Sequence, residues 1–270
     1  MVVRGGGTSQ LHMSRFTLSS YAPSTGSVST GSLGFETTAT FGTLAAPYTG
    51  YGLALLPSAA GTYPYVYFLR GGKTGADAQL TDDTVKLVQG LSGLAAGGRV
   101  VHAWDGPEGG SNWNDNHGGA ASGGVDGFGA DSDIRDWAKA YWAGLEMSKA
   151  DMARSVVYGA SRGGMEALLM MALEGIVPKC CILRSPMLHL ADWSIVKHGH
   201  DAIPGFAGAG TEDFEDLSDA DQALLQARDC MNYVNRLPVN IPYLLIWGDE
   251  DTTIPWEWID EFEEVMSARG

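Results

Sequence analysis

A serine stands at the centre of Gly159-Ala160-Ser161-Arg162-Gly163-Gly164, and the two flanks of this G-x-S-x-G pattern differ in kind. Before it runs Ser155-Val156-Val157-Tyr158, short and apolar, with the composition of a strand. After it runs Met165 to Leu173, MEALLMMAL, an apolar segment of helix formers. Small residues at 159 and 163 let a strand and a helix meet at a sharp turn, which pushes the Ser161 hydroxyl into the open. The helix start behind it offers backbone N–H groups and the positive end of a dipole. That combination predicts a nucleophile for acyl transfer. In isolation the same letters describe an ordinary glycine-rich turn, and a chain with 37 glycines in 270 residues makes the pattern alone a weak signal. The strand-then-helix context gives it weight.

Two further groups fall where such a nucleophile needs help. Arg70-Gly71-Gly72-Lys73 follows the almost uninterrupted apolar run Tyr63–Leu69, so its amides belong at the carboxyl end of a buried strand. Donors from Gly72 or Lys73, with the N–H of Arg162, are expected to hold a developing oxyanion; the alternative is a plain Gly-Gly turn. Gly248-Asp249-Glu250-Asp251-Thr252-Thr253-Ile254-Pro255 follows another apolar run, Pro242–Trp247. A carboxylate there can orient a histidine and stabilise its charged form. Asp251 is the chosen acid, with Asp249 assigned to the local turn; the competing reading is an acidic loop capping the next helix.

The histidines are less well placed. His12 falls in a glycine-rich opening segment and His102 inside a predicted strand. His117, in a long Gly- and Asn-rich loop, and His189, His198 and His200, in a polar insertion, could approach the carboxyl edge as the base, against the plainer reading of surface or structural histidines. His198-x-His200 with Asp201 reads as a polar loop, since no third ligand stands on a defined element. Trp113-Asn114-Asp115 fits a cleft wall and a capped loop equally well.

These groups require a scaffold, and the chain's periodicity supplies one. Residues 1–33 are rich in Gly, Ser and Thr and read as a poorly ordered arm or an edge strand at Ser14–Ser20. FETTATF from Phe35 and YGLALL from Tyr51 read as strands, as do Tyr63–Leu69, Arg99–Ala103, Ser155–Tyr158, Lys179–Leu183 and Pro242–Trp247. Helical spacing marks Thr81–Leu94, then Ile134, Trp137, Ala138, Tyr141 and Leu145, then Gly164–Leu173, and last Ile259, Phe262, Val265 and Met266. Strands alternating with helices predict an α/β fold, a mostly parallel, doubly wound sheet with helices on both faces. The domain is expected to span 34–270, with a lid-like insertion at about 187–236.

Composition narrows the partners. Seventeen Lys and Arg against 32 Asp and Glu give a net charge of −15, which repels phosphate backbones and anionic membrane surfaces. Neither nucleic acid nor membrane is expected as a partner, and no run of apolar residues is long enough to span a bilayer. Cys180, Cys181 and Cys230 read as buried thiols in a reducing compartment. With no apolar signal region at the start, a cytoplasmic location is expected. Nothing in the sequence sets an oligomeric state.

GASRGG after one strand and WGDEDTTIP after a later one together resemble the α/β-hydrolase superfamily. ARDCMNYVNRLPVNIPYLLIWGDEDTTIP is similar to the acid-bearing segment of prolyl-oligopeptidase catalytic domains, and YGLALLPSAAGTYPYVYFLRGG resembles the first strands of feruloyl and polyhydroxybutyrate-depolymerase-type esterases. The resemblance covers roughly 51–270. It implies Ser161 as nucleophile, Asp251 as triad acid, and Gly72 with Arg162 at the oxyanion site of a serine hydrolase acting on an ester or peptide, without a cofactor or metal. Two positions depart from the pattern. Arg70 stands where the esterases usually have histidine. The family's histidine is expected about thirty residues past the acid, and no histidine follows His200, so the resemblance implies a chain without the last strand and the family's catalytic histidine, inactive unless another histidine serves as the base. The alternatives are an acyltransferase and a non-catalytic binding protein of the same fold.

Overall fold

A computed structural model describes residues 2–6, 10–11, 35–43, 46–57, 60–69, 98–104, 129–147, 149–192, 203, 206, 213–248 and 251–270. Among the described residues nine strands form one sheet: β1 Val2–Gly6, β2 Gln10–Leu11, β3 Phe35–Thr43, β4 Ala46–Leu55, β5 Tyr63–Leu69, β6 Val100–Trp104, β7 Ala150–Ala160, β8 Cys180–Arg184 and β9 Tyr243–Gly248. Their spatial order is β2-β1-β9-β8-β7-β5-β6-β4-β3. The six strands from β1 to β6 in that order run parallel, and antiparallel pairs close the two edges, β1 with β2 and β6 with β4 and β3. The expected mostly parallel α/β sheet is the one observed.

Helices α1 Asp131–Trp142, α2 Arg162–Leu173 and α3 Asp219–Arg228 lie between successive strands, and α4 Trp256–Ala268 follows β9. Ile134, Trp137 and Tyr141 of α1, Leu168 and Met171 of α2 and Ile259 and Phe262 of α4 pack into one core with Tyr65, Tyr67, Val157, Leu183 and Leu245. The opposite face carries a smaller cluster, Val66, Phe68, Val101 and Ala103. β5 is buried without alternation from Tyr65 to Leu69 because it lies in the middle of the sheet with both faces covered, as its unbroken apolar run predicts. The helix expected at Thr81–Leu94 lies outside the described residues. Among those residues no helix is long and apolar enough to cross a membrane.

Three expectations need revision. The opening residues were expected as an arm, yet Val2–Gly6 pairs in parallel with β9, Val2 opposite Leu245 and Gly5 opposite Gly248. The edge strand expected at Ser14–Ser20 lies outside the described residues. Leu145 was placed on the apolar face of α1, but the helix gives way to a 3-10 turn at Ala143, and Leu145 is 64% exposed. The tighter winding of that turn rotates it off the core stripe. Finally, part of the segment expected as a lid is built into the core. Leu217, Leu225, Cys230 and Val234 are buried there. The Arg269 guanidinium, just past α4, bonds the carbonyls of Val234, Asn235 and Leu237.

Candidate active site

Ser161 occupies the junction between β7 and α2 with φ 52° and ψ −123°, a conformation an L-residue rarely holds. Several contacts keep it there. Its N–H donates to the Arg184 carbonyl at 2.9 Å. Its carbonyl accepts from Gly164 at 2.9 Å, Met187 at 3.1 Å and Met165 at 3.4 Å. The flanking glycines are required by space. A Cβ on Gly159 would lie 2.4 Å from the Gly163 carbonyl oxygen, and one on Gly164 would lie 2.7 Å from Pro186 Cβ. The Ser161 side chain makes no capping bond to its own helix and is half-buried. A sharp, strained strand-to-helix turn presenting a serine is the geometry that the sequence context predicted.

Behind Ser161, the Arg162 side chain turns inward and donates through Nε to Glu166 Oε1 at 2.7 Å, one helical turn along. Both are buried, and the ion pair offsets part of the cost of taking the two charges out of water. The pair anchors the first turn of α2, where the Arg162 backbone N–H lies directly after the serine. Gly72, the other expected oxyanion donor, lies outside the described residues, as do Arg70, Gly71, Lys73 and Trp113-Asn114-Asp115.

Asp251 follows the carboxyl end of β9, with β8 between its strand and that of Ser161. Neighbouring strands lie about 4.8 Å apart, so the two loops leave the same edge roughly 10 Å from each other. Asp251 is held by its own turn: its N–H donates to the Gly248 carbonyl at 3.2 Å. Its Oδ1 accepts from Thr253 N–H at 2.9 Å and Ile254 N–H at 3.0 Å. Sequence reasoning gave the local turn to Asp249, which lies outside the described residues; Asp251 has that structural role as well. Both bonds fall on Oδ1, which leaves Oδ2 for another donor.

Of the histidines, His102 and His189 are among the described residues. His102 is buried in β6 with Nδ1 2.8 Å from the Tyr65 hydroxyl, and burial lowers its pKa to about 3. It is a neutral core imidazole. His189 follows β8 on the Ser161 side of the sheet, with Nε2 3.0 Å from Glu261 Oε2 and its ring edge-on to Trp258. That pair, 72 residues apart in sequence, was missed from sequence, and no local spacing rule links positions so far apart. His12, His117, His198 and His200 lie outside the described residues. Among those that are described, no cluster of three or more metal-ligating side chains occurs. Cys181 and Cys230 are buried thiols whose pKa burial pushes up, as expected of core residues.

With the sheet and this edge in view, comparison with solved structures assigns the class of fold. The chain is similar to puromycin hydrolase, 22% identical over 87% of this chain and 34% of that one, TM-score 0.55. It is similar to Pyrococcus horikoshii acylaminoacyl peptidase, 15% identical over 89% and 36%, TM-score 0.59, and to Porphyromonas gingivalis dipeptidyl peptidase 4, 15% identical over 88% and 31%, TM-score 0.56. These likenesses define an α/β-hydrolase-like domain, and the chain spans about a third of the length of the structures it matches. No protein-family model and no curated protein sequence matches it.

Proposed function

We propose that the chain is the α/β-hydrolase domain of a serine hydrolase that cleaves an ester or peptide bond through an acyl-enzyme. The observation that carries this reading is Ser161 itself, held at positive φ between a parallel strand and a helix start. A strained serine that makes no cap to its own helix has little structural reason to be there. The names of the similar structures, a puromycin hydrolase and two peptidases, support a hydrolytic reading of the same turn.

In this reading Ser161 Oγ bonds to the carbonyl carbon as its proton passes to an imidazole. The carbonyl π pair moves onto oxygen, where the N–H groups of Arg162 and Gly72 receive it. Collapse restores the C=O, breaks the bond to the alcohol or amine and returns the imidazolium proton to that leaving group. Water then repeats the sequence on the acyl-enzyme, releasing the acid and regenerating Ser161. Asp251 accepts from the imidazole through Oδ2 and stabilises its charged form, while Oδ1 keeps the loop in shape. The neutral core position of His102 makes it unsuited to be that imidazole.

A fluorophosphonate probe tests the reading. Labelling of the purified chain, located to Ser161 by peptide mass spectrometry and absent from Ser161→Ala, is the expected result. Asp251→Asn keeps an oxygen for the Thr253 and Ile254 amides, so it should preserve the melting temperature while slowing labelling by about 100-fold or more. A wild-type chain that stays unlabelled supports a non-catalytic binding protein instead.

A further inference from the structure

Two backbone bonds fix Ser161 from outside its own helix, and both come from the segment that leaves β8. Arg184 accepts from the Ser161 N–H and Met187 donates to the Ser161 carbonyl, at 2.9 and 3.1 Å. Between them Pro186 lies against Gly164 too closely to admit a methyl group. The next residues anchor this clasp. Leu190 N–H donates to Asp229 Oδ2 at 3.1 Å, and Asp229 Oδ1 accepts from Met231 at 2.9 Å. The His189 side chain meanwhile reaches across to α4, with Nε2 3.0 Å from Glu261 Oε2 and its ring 5.4 Å from that of Trp258. That helix starts at Trp256, directly downstream of the Asp251 turn, and Ile254 between them is buried in the core.

We infer that His189 is a positioning residue: by tying the clasp on Ser161 to the helix that carries the Asp251 turn, it sets the separation of the two groups. The inference rests on the reading of Ser161 and Asp251 as nucleophile and acid. The carboxylates facing the imidazole are Glu261, by direct bond, and Asp229, through its field. Each backbone clasp alone leaves one partner loop free to shift relative to the other. The side-chain bridge spans both, and a misplacement of about 1 Å between reacting groups is enough to slow chemistry. Glu261 is 53% exposed, which keeps the expected effect modest.

The test measures the saturating rate of fluorophosphonate labelling at Ser161, and the half-saturating probe concentration, in the full chain. His189→Leu is expected to lower the saturating rate about fivefold with half-saturation unchanged. His189→Gln, whose amide can still donate to Glu261, should recover most of that rate. Glu261→Ala should match His189→Leu, and the double variant should be no slower than the slower single one, because both remove the same link. Should His189→Leu fail to fold, Glu261→Ala on the exposed side of α4 carries the same comparison. A fall in melting temperature with the saturating rate intact, or additive losses in the double variant, overturns the positioning role and leaves the serine-hydrolase reading standing. A wild-type chain unlabelled at Ser161 removes that reading and the positioning role with it.

Discussion

The two turns at the carboxyl edge are built on opposite plans. The Ser161 turn is over-determined: four backbone bonds converge on one residue, two glycines make room where a methyl cannot fit, and a buried ion pair fixes the helix behind it. The Asp251 turn is self-contained, a carboxylate bonded to amides two and three residues ahead. Strain in the first needs a rigid surround, since an unsupported positive φ would relax. The second needs none, and its carboxylate keeps one oxygen for another partner. Rigidity is therefore invested where a conformation must be enforced, and left out where a polar side chain can satisfy its own loop.

That contrast can be broken or sharpened by substitutions, ranked here by expected effect on folding free energy. Glu166→Ala removes the carboxylate from a buried ion pair and is expected to cost about 3–5 kcal/mol in urea unfolding. A loss below about 1 kcal/mol shows that the ion pair does not support the turn. Gly159→Ala forces a methyl against the Gly163 carbonyl and is expected to cost about 1–3 kcal/mol.

A pH series probes the core under the same rigid half. His102 has its pKa lowered to about 3 against 6.5 for the unfolded chain, so between those values the unfolded state binds the extra proton. Stability therefore rises with pH across that window. It falls on acidification below about 6.5 by up to roughly 1.4 kcal/mol per pH unit. Comparing unfolding at pH 7 and pH 5, the wild-type chain should lose more than His102→Gln; equal losses refute the assignment. The smallest effect has the opposite sign. Ser161→Gly removes the Cβ at positive φ and should raise stability by about 1 kcal/mol, with Ser161→Ala showing no such gain. Equal stability of the two variants means the turn stores no strain.

How legible these features were from the sequence depends on how local their causes are. β5, β7 and α2 announce themselves by short apolar runs beside glycines, and Ser161 was legible because its two flanks carry different periods. The place of Asp251 just past β9 could be read from the apolar run before it, but bonding of the local turn was assigned to Asp249, whereas Asp251 holds the Thr253 and Ile254 amides. The strand formed by Val2–Gly6 was not readable, because three glycines follow Arg4 and the partner that makes them a strand lies at the far end of the sequence. Leu145 followed the helical period by one turn too many, since nothing in its letters marks the switch to 3-10 winding. His189 and Glu261 meet only because β8 pairs with β9, the strand that α4 follows, a fact no spacing rule contains.

The pairing of β1 with β9 also bears on how the chain reaches its native state. Val2 leaves the ribosome long before Leu245, its partner in the sheet. Until β9 is made, the first strand has no place to dock, and until β1 docks, the backbone groups on that side of β9 stay open to other chains. Closing so long a loop adds little to equilibrium cost, because loop entropy grows only logarithmically, but it delays the step. That ladder thus joins residues synthesised well before their partners, and until it closes the nascent chain is exposed to misassembly.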